Sequence, residues 1–304
     1  MSIVEKAIEK LQKRAHAEQP RVAEKTLAAA VTTRRSPISH EALAAGASSG
    51  TARPHLTIDR DKLTERGILP PLSEQPRTER EFRHIKRPLV ERALAARGDA
   101  ARNASVIMVA SAIAGEGKTF TAFNLALSLA LEQDVSVLLI DADIPKPQIS
   151  AVLGIEKSPG LLDAIDDPAL DPEALIHTTD VPNLYVLGAG THAETATEML
   201  ASQRMSELIT RLRLADTSRI ILFDSPPLLL TTESRELVTV AGQIVLVVRA
   251  GETPRQAVYD AIALFGETKH VGVVLNQVDD GGGDAAYYGY GQYGTYGERG
   301  EGQP

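Results

Sequence analysis

The chain of 304 residues has no cysteine, so it can form neither a disulfide framework nor a thiolate metal site, and a reducing compartment suits it. It also lacks an apolar run long enough to span a membrane. Its opening stretch, Met1 to Arg14, is charged and amphipathic where a secretion signal would be apolar. These absences lead to the expectation of a soluble, cytoplasmic protein. Tryptophan is missing, and five of the seven tyrosines fall within the last 24 residues. Charge is uneven: residues 1–100 carry 19 Lys+Arg against 13 Asp+Glu, and the remainder 13 against 27. The acidic body argues against wrapping nucleic acid, whereas the basic arm is where an anionic or acidic partner would dock.

What is present is organised around Ala112-Ile113-Ala114-Gly115-Glu116-Gly117-Lys118-Thr119. An apolar run from Ser105 to Ala110 precedes it and a helical pattern from Phe120 to Leu131 follows, which is the strand, phosphate loop and helix of a nucleotide-binding unit. Small residues let successive backbone N–H groups curl around a phosphate at a helix N-terminus. The nucleotide contacts expected from this stretch are Ala114, Gly115, Glu116, Gly117, Lys118, Thr119 and Phe120. Lys118 can reach the outer phosphates and the Thr119 hydroxyl can ligate Mg²⁺. Ala112 stands where glycine is usual, which costs little unless that position requires φ > 0.

Taken in order, residues 1–19 read as an amphipathic helix with Ile3, Val4, Ala7, Ile8 and Leu11 on one face. Residues 20–76, rich in Ala, Ser, Thr, Pro and Arg, read as a disordered linker in which Ile58, Leu63, Ile68 and Leu69 offer at most a transient docking point. Residues 77–280 read as the phosphate-loop domain, entered through a basic arm: Arg77, Arg80, Arg83, Lys86 and Arg87 lie close to one helical face. Pro88 predicts that this arm breaks into two pieces. Residues 281–304, nine of which are glycine, read as a flexible tail.

Within the domain, apolar strand-like runs alternate with helical segments, the pattern of an α/β fold with a mainly parallel sheet and helices on both faces. The runs are Val106–Ala110, Val135–Ile140, Leu184–Leu187, Ile220–Phe223, Ile244–Val248 and Val271–Leu275. Ligands of such sheets bind beyond the carboxyl ends of the strands. The second run ends in Asp141-Ala142-Asp143 and the fourth in Asp224-Ser225-Pro226-Pro227, so three carboxylates project toward the edge where Lys118 and Thr119 wait. They are hard ligands for Mg²⁺ and its waters, and one left over could take a proton from an incoming hydroxyl. Thr119, Asp143 and Asp224 are the metal candidates and Asp141 the first candidate base, with the roles of Asp141 and Asp143 interchangeable at this level. The last run ends in Asn276-Gln277-Val278-Asp279, where base-reading groups often sit. The tail then offers Tyr287, Tyr288, Tyr290, Tyr293 and Tyr296 at high effective concentration near such a site.

Together these motifs resemble the bacterial tyrosine kinases. Supporting stretches are Leu184 to Gly190, Glu198 to Ser202 and Val247 to Gly251. Met1 to Gln12 and Phe82 to Leu89 resemble the exosortase-associated (XrtA-associated) autokinase subgroup. Two departures from the family pattern stand out: Pro145, followed by Lys146, stands where an arginine is common, and Arg80, Arg83 and Lys86 stand where the family often has Glu-x-x-Arg-x-x-Arg. The resemblance implies a protein-tyrosine kinase using ATP and Mg²⁺, with catalytic Lys118, Asp141, Asp143 and Asp224. It implies phosphorylation of the tail tyrosines in trans within a homo-oligomer, and control of exopolysaccharide synthesis or export. A membrane-embedded activator of the chain-length-determinant type would hold the protein at the inner membrane, and a tyrosine phosphatase would reverse the modification. The competing class is a Min/Par-like positioning ATPase; Ile113 stands where that class usually carries a second lysine.

Overall fold

A consecutive apolar run such as Ile244-Val245-Leu246-Val247-Val248 has no polar side to turn toward water, so it belongs inside a sheet covered twice. A computed structural model of the chain describes residues 53–95, 103–266 and 269–278. The helix expected at residues 1–19, the linker up to residue 52, Asp279 and the tyrosine tail lie outside the described residues. The strands are β1 His55–Leu56, β2 Val106–Ser111, β3 Ser136–Asp141, β4 His177–Thr179, β5 Leu184–Leu187, β6 Arg219–Asp224, β7 Gln243–Arg249 and β8 His270–Asn276. They form one sheet in the order β1-β4-β5-β3-β6-β2-β7-β8. Every neighbouring pair is parallel except β4 with β5. All six runs read from the sequence are strands; β1 and β4, two and three residues long, are too short to show a periodicity.

Side chains alternate between two cores. Val106, Met108 and Ala110 of β2 join one buried cluster with Leu138, Ile140, Ile221, Phe223, Ile244 and Leu246. Their neighbours Ile107, Val109, Val137, Leu139, Ile220, Leu222, Val245 and Val247 join the other. The second core is covered by α1 Arg60–Glu65, α2 Gln75–Ala95, α3 Lys118–Ala130 and α4 Gln148–Leu153. The first is covered by α5 Leu161–Asp166, α6 Ala196–Leu200, α7 Gln203–Ala215, α8 Glu233–Val240 and α9 Arg255–Ala263. The stretch 196–215 forms two helices, because Ser202 between them is extended.

Two expectations fail. Residues 53–76 are not a disordered linker: Leu56, Ile58, Leu63, Ile68 and Leu69 are each at most 8% exposed and belong to the second core. Backbone ties reinforce them, with Ile58 N–H donating to Asp180 at 2.9 Å and Asn124 donating to the Ile68 carbonyl at 2.8 Å. Such isolated apolar residues in a polar stretch carry no periodicity, so only the surface they meet orders them. The basic arm is also one helix of 21 residues with Pro88 inside it. Pro88 and His84 are exposed, which leaves the carbonyl freed by the missing N–H to water, while buried Phe82, Lys86 and Leu89 anchor the helix on both sides. Lys86 leaves the basic face: its Nζ donates to the Ser128 carbonyl at 2.8 Å and pairs with Glu132 at 2.6 Å, neutralising the negative end of α3.

Candidate active site

The register of the parallel strands decides what converges. Asp141 at the end of β3 is paired directly with Asp224 at the end of β6, and Asp224 is level with Val109 of β2, whose strand runs on into the phosphate loop. In that loop Gly115 and Gly117 have φ of 85° and 89°, the left-handed region that glycine enters without strain. Gly117 has a second constraint, since a Cβ there would lie 2.0 Å from Asn276 Nδ2. Ala112 is fully buried and outside the left-handed region, which explains why alanine serves in place of glycine.

Lys118 opens α3 and extends between two carboxylates. Its Nζ is 3.1 Å from Asp143 Oδ2 and 3.5 Å from Asp224 Oδ1, and the Thr119 side of the helix is likewise buried. Burial alone would lower the Lys118 pKa, but the charges of Asp224 and Asp143 raise it above its ordinary value. Burial raises Asp224, against the pull of Lys118 and the Thr119 hydroxyl. Asp141 is pushed up to about 7 by burial and by the Asp224 charge. Its Oδ2 accepts from both the backbone N–H and the hydroxyl of Ser150, each at 2.7 Å. Oδ1 of Asp141 and Oδ2 of Asp224 are buried without a close hydrogen bond, and Oδ1 of Asp224 has only the Lys118 ammonium 3.5 Å away.

Unpartnered buried carboxylate oxygens are costly by themselves and fit a cation. Among the described residues no three acidic, His or Cys side chains enclose a metal. Mg²⁺ commonly takes one or two carboxylates and completes its octahedron with phosphate oxygens and water. Thr119 and Asp224, with Asp143 beside them, are the residues that would hold it.

The other predicted site residues divide. Ala114 and Gly115 are exposed at the loop's tip, where backbone N–H groups can meet a phosphate. Phe120 instead turns its ring to Phe82, with centroids 6.3 Å apart, which leaves only its backbone for a ligand. Asn276 donates to the Glu116 carbonyl at 2.9 Å, so its amide nitrogen is committed to the loop. Glu116 is buried and its carboxylate accepts the Ile113 N–H at 2.8 Å, which turns it away from any phosphate. Lys146 is exposed in the turn after Asp143.

A family model described as an AAA domain matches residues 104–269, the part that contains every one of these groups but Asn276. The tyrosine-protein kinase YwqD of Bacillus subtilis (strain 168) is 32% identical over 196 residues, which are 64% of this chain and 79% of YwqD. The chain belongs to the bacterial tyrosine kinase family. A crystal structure of the kinase domain of VpsO is similar to this tyrosine kinase fold with a TM-score of 0.55 and 29% identity, over 69% of this chain and all of that one. The succinoglycan biosynthesis transport protein ExoP of Rhizobium meliloti (strain 1021) is 31% identical over 178 residues, 57% of this chain but only 22% of ExoP. Two residues beside this kinase site were not foreseen from the sequence, Ser150 and Thr253. Neither sits in a motif: Ser150 lies nine residues after Asp141 on a helix of six residues, and Thr253 reaches Glu116 across 137 residues of chain.

Proposed function

We propose that this site binds ATP with Mg²⁺ and transfers the terminal phosphoryl group to tyrosine hydroxyls of the C-terminal cluster, Tyr287, Tyr288, Tyr290, Tyr293 and Tyr296, of another copy of the chain. The observation that supports this most is the position of Lys118, held between Asp143 and Asp224 at the mouth of the phosphate loop. On nucleotide binding its ammonium exchanges those carboxylates for phosphate oxygens and stabilises the charge that moves onto them. Bound Mg²⁺ supplies further charge neutralisation and orients the phosphates. Thr119, Asp143 and Asp224 serve as its ligands, directly or through water. Asp141 is the first candidate to accept the tyrosine proton, because Oδ1 is free while Ser150 fixes Oδ2. A carboxyl near pH 7 suits that task.

The biological setting is part of the same reading. ExoP's name places that relative in polysaccharide biosynthesis and transport, which supports a role in exopolysaccharide synthesis or export here. We infer a membrane activator of the chain-length-determinant type, with a phosphatase to reverse the modification. Intact-mass measurement with peptide mapping, after incubation with ATP and Mg²⁺ alongside an activator fragment, tests the core claim. The expected result is phosphate confined to Tyr287–Tyr296 and absent from Lys118→Ala. ATP hydrolysis with no gain of mass on tyrosine would overturn it in favour of a positioning ATPase.

A further inference from the structure

The phosphate loop carries a carboxylate on its inner side. Glu116 is 1% exposed, and a buried negative charge in a loop that receives phosphates is tolerable only if donors saturate it. They do. Oε2 accepts the Ile113 N–H at 2.8 Å, closing the loop on itself, and Oε1 accepts the hydroxyl of Thr253. That hydroxyl accepts in turn from the Arg249 N–H at 3.0 Å, so it both donates and accepts. Thr253 N–H also returns to the Arg249 carbonyl at 3.2 Å. The end of β7 is thereby joined to the phosphate loop through two side chains, on the flank where Asn276 already holds the Glu116 carbonyl.

We propose that Thr253 is a positioning residue of the phosphate site, acting through Glu116 to keep the loop in the curvature that presents its backbone N–H groups and Lys118 to a phosphate. Without the Thr253 hydroxyl, Oε1 of Glu116 is left buried and unsatisfied. The carboxylate then seeks other donors, among them the loop N–H groups that a phosphate needs. It becomes an internal competitor for the anion site. This rests on the reading of the loop as a nucleotide site, and it extends that site to a turn that carries no nucleotide motif.

Thr253→Val keeps the side-chain shape and removes both hydrogen bonds, whereas Thr253→Ser keeps the hydroxyl. MgATP affinity is measured by calorimetry on the full chain, with KM for ATP, kcat for tyrosine phosphorylation and the melting temperature alongside. Thr253→Val is expected to weaken MgATP binding and raise KM about tenfold, with kcat within about twofold of wild type. Thr253→Ser is expected to bind within about twofold of wild type. In a Glu116→Ala background Thr253→Val should add nothing, and this arm also decides the matter if the valine variant melts early. Equal MgATP binding by Thr253→Val and wild type would overturn the proposal, as would a serine variant as weak as the valine one or full additivity with Glu116→Ala. A wild-type chain that does not bind MgATP would overturn the nucleotide reading itself, which is a different result from wild-type binding that Thr253 does not influence.

Discussion

Gly117 illustrates how much a single position can carry. Its φ of 89° is unfavourable to any Cβ, and Asn276 occupies the space a Cβ would need. Gly117→Ala should therefore lose about 1–2 kcal/mol of stability from the backbone alone, and should lose MgATP binding because the loop must shift. Denaturant unfolding together with calorimetry would check this; a variant that melts and binds as wild type would remove the geometric claim. His177 makes a prediction about pH. It is buried in β4 with Nδ1 unpartnered, and burial holds its pKa below the ordinary 6.5. As pH falls through about 6.5 the unfolded chain takes up a proton first, so stability is complete above that pH and is lost below it. His177→Gln should flatten this acid-side loss, measured by denaturant unfolding at two pH values either side of 6.5; an unchanged slope would show that other groups cause it. At this scale the sequence was informative where chemistry is local. Lys118, Thr119 and the aspartates are announced by their neighbours, whereas Ser150 and Thr253 act only on residues brought to them by the fold.

At the scale of the element, α2 was read by charge when position on the helix mattered more. Phe82, Lys86 and Leu89 share the inner face, and Arg80, Arg83 and Arg87 the outer one. Lys86→Met would keep the aliphatic packing and remove the donor to the Ser128 carbonyl, at an expected cost of about 1–2 kcal/mol. Equal stability of that variant would mean the contact is replaced by water at no loss. Pro88 is the converse case. Local preference argues for a break at Arg87, and the anchors on both sides override it. Pro88→Ala should therefore raise stability, by up to about 3 kcal/mol, in a denaturant titration. A loss of stability instead would mean that the helix depends on the shape Pro88 imposes.

At the scale of the whole molecule, the starting point of the folded unit is the main correction. A protein beginning at residue 77, the boundary expected from composition, lacks Leu56, Ile58, Leu63, Ile68 and Leu69, all of them core residues. Each such side chain is worth about 1.5–3 kcal/mol when fully buried. A protein beginning at residue 53 should therefore melt well above one beginning at residue 77, and equal melting temperatures would show that this segment adds no stability. β1 is also tied by charge: Arg53 and Arg219 share the Glu173 carboxylate, and Arg53 lies over the Tyr185 ring at 5.6 Å. Phosphorylation has a consequence at this scale as well. Five phosphotyrosines would add roughly −8 to −10 at pH 7 to a chain already at −8. Sizing at fixed ionic strength should show the modified protein in a smaller assembly than the unmodified one, and identical sizes would remove repulsion as the cause.

The sequence by itself determined the strands of the sheet body, the phosphate loop and the carboxylates that end β3 and β6. Each of these is encoded within a dozen consecutive residues, through periodicity, small loop residues and the rule that such sheets bind ligands at one edge. Only the tertiary structure decided which distant groups, 42 to 137 positions along the chain, each side chain hydrogen-bonds to. Lys86 with Ser128, Asn124 with Ile68 and Thr253 with Glu116 are pairs whose partners have no mark in the chain. The same holds for the order of residues 53–76, because a lone leucine in a polar stretch is buried only if another surface arrives to bury it.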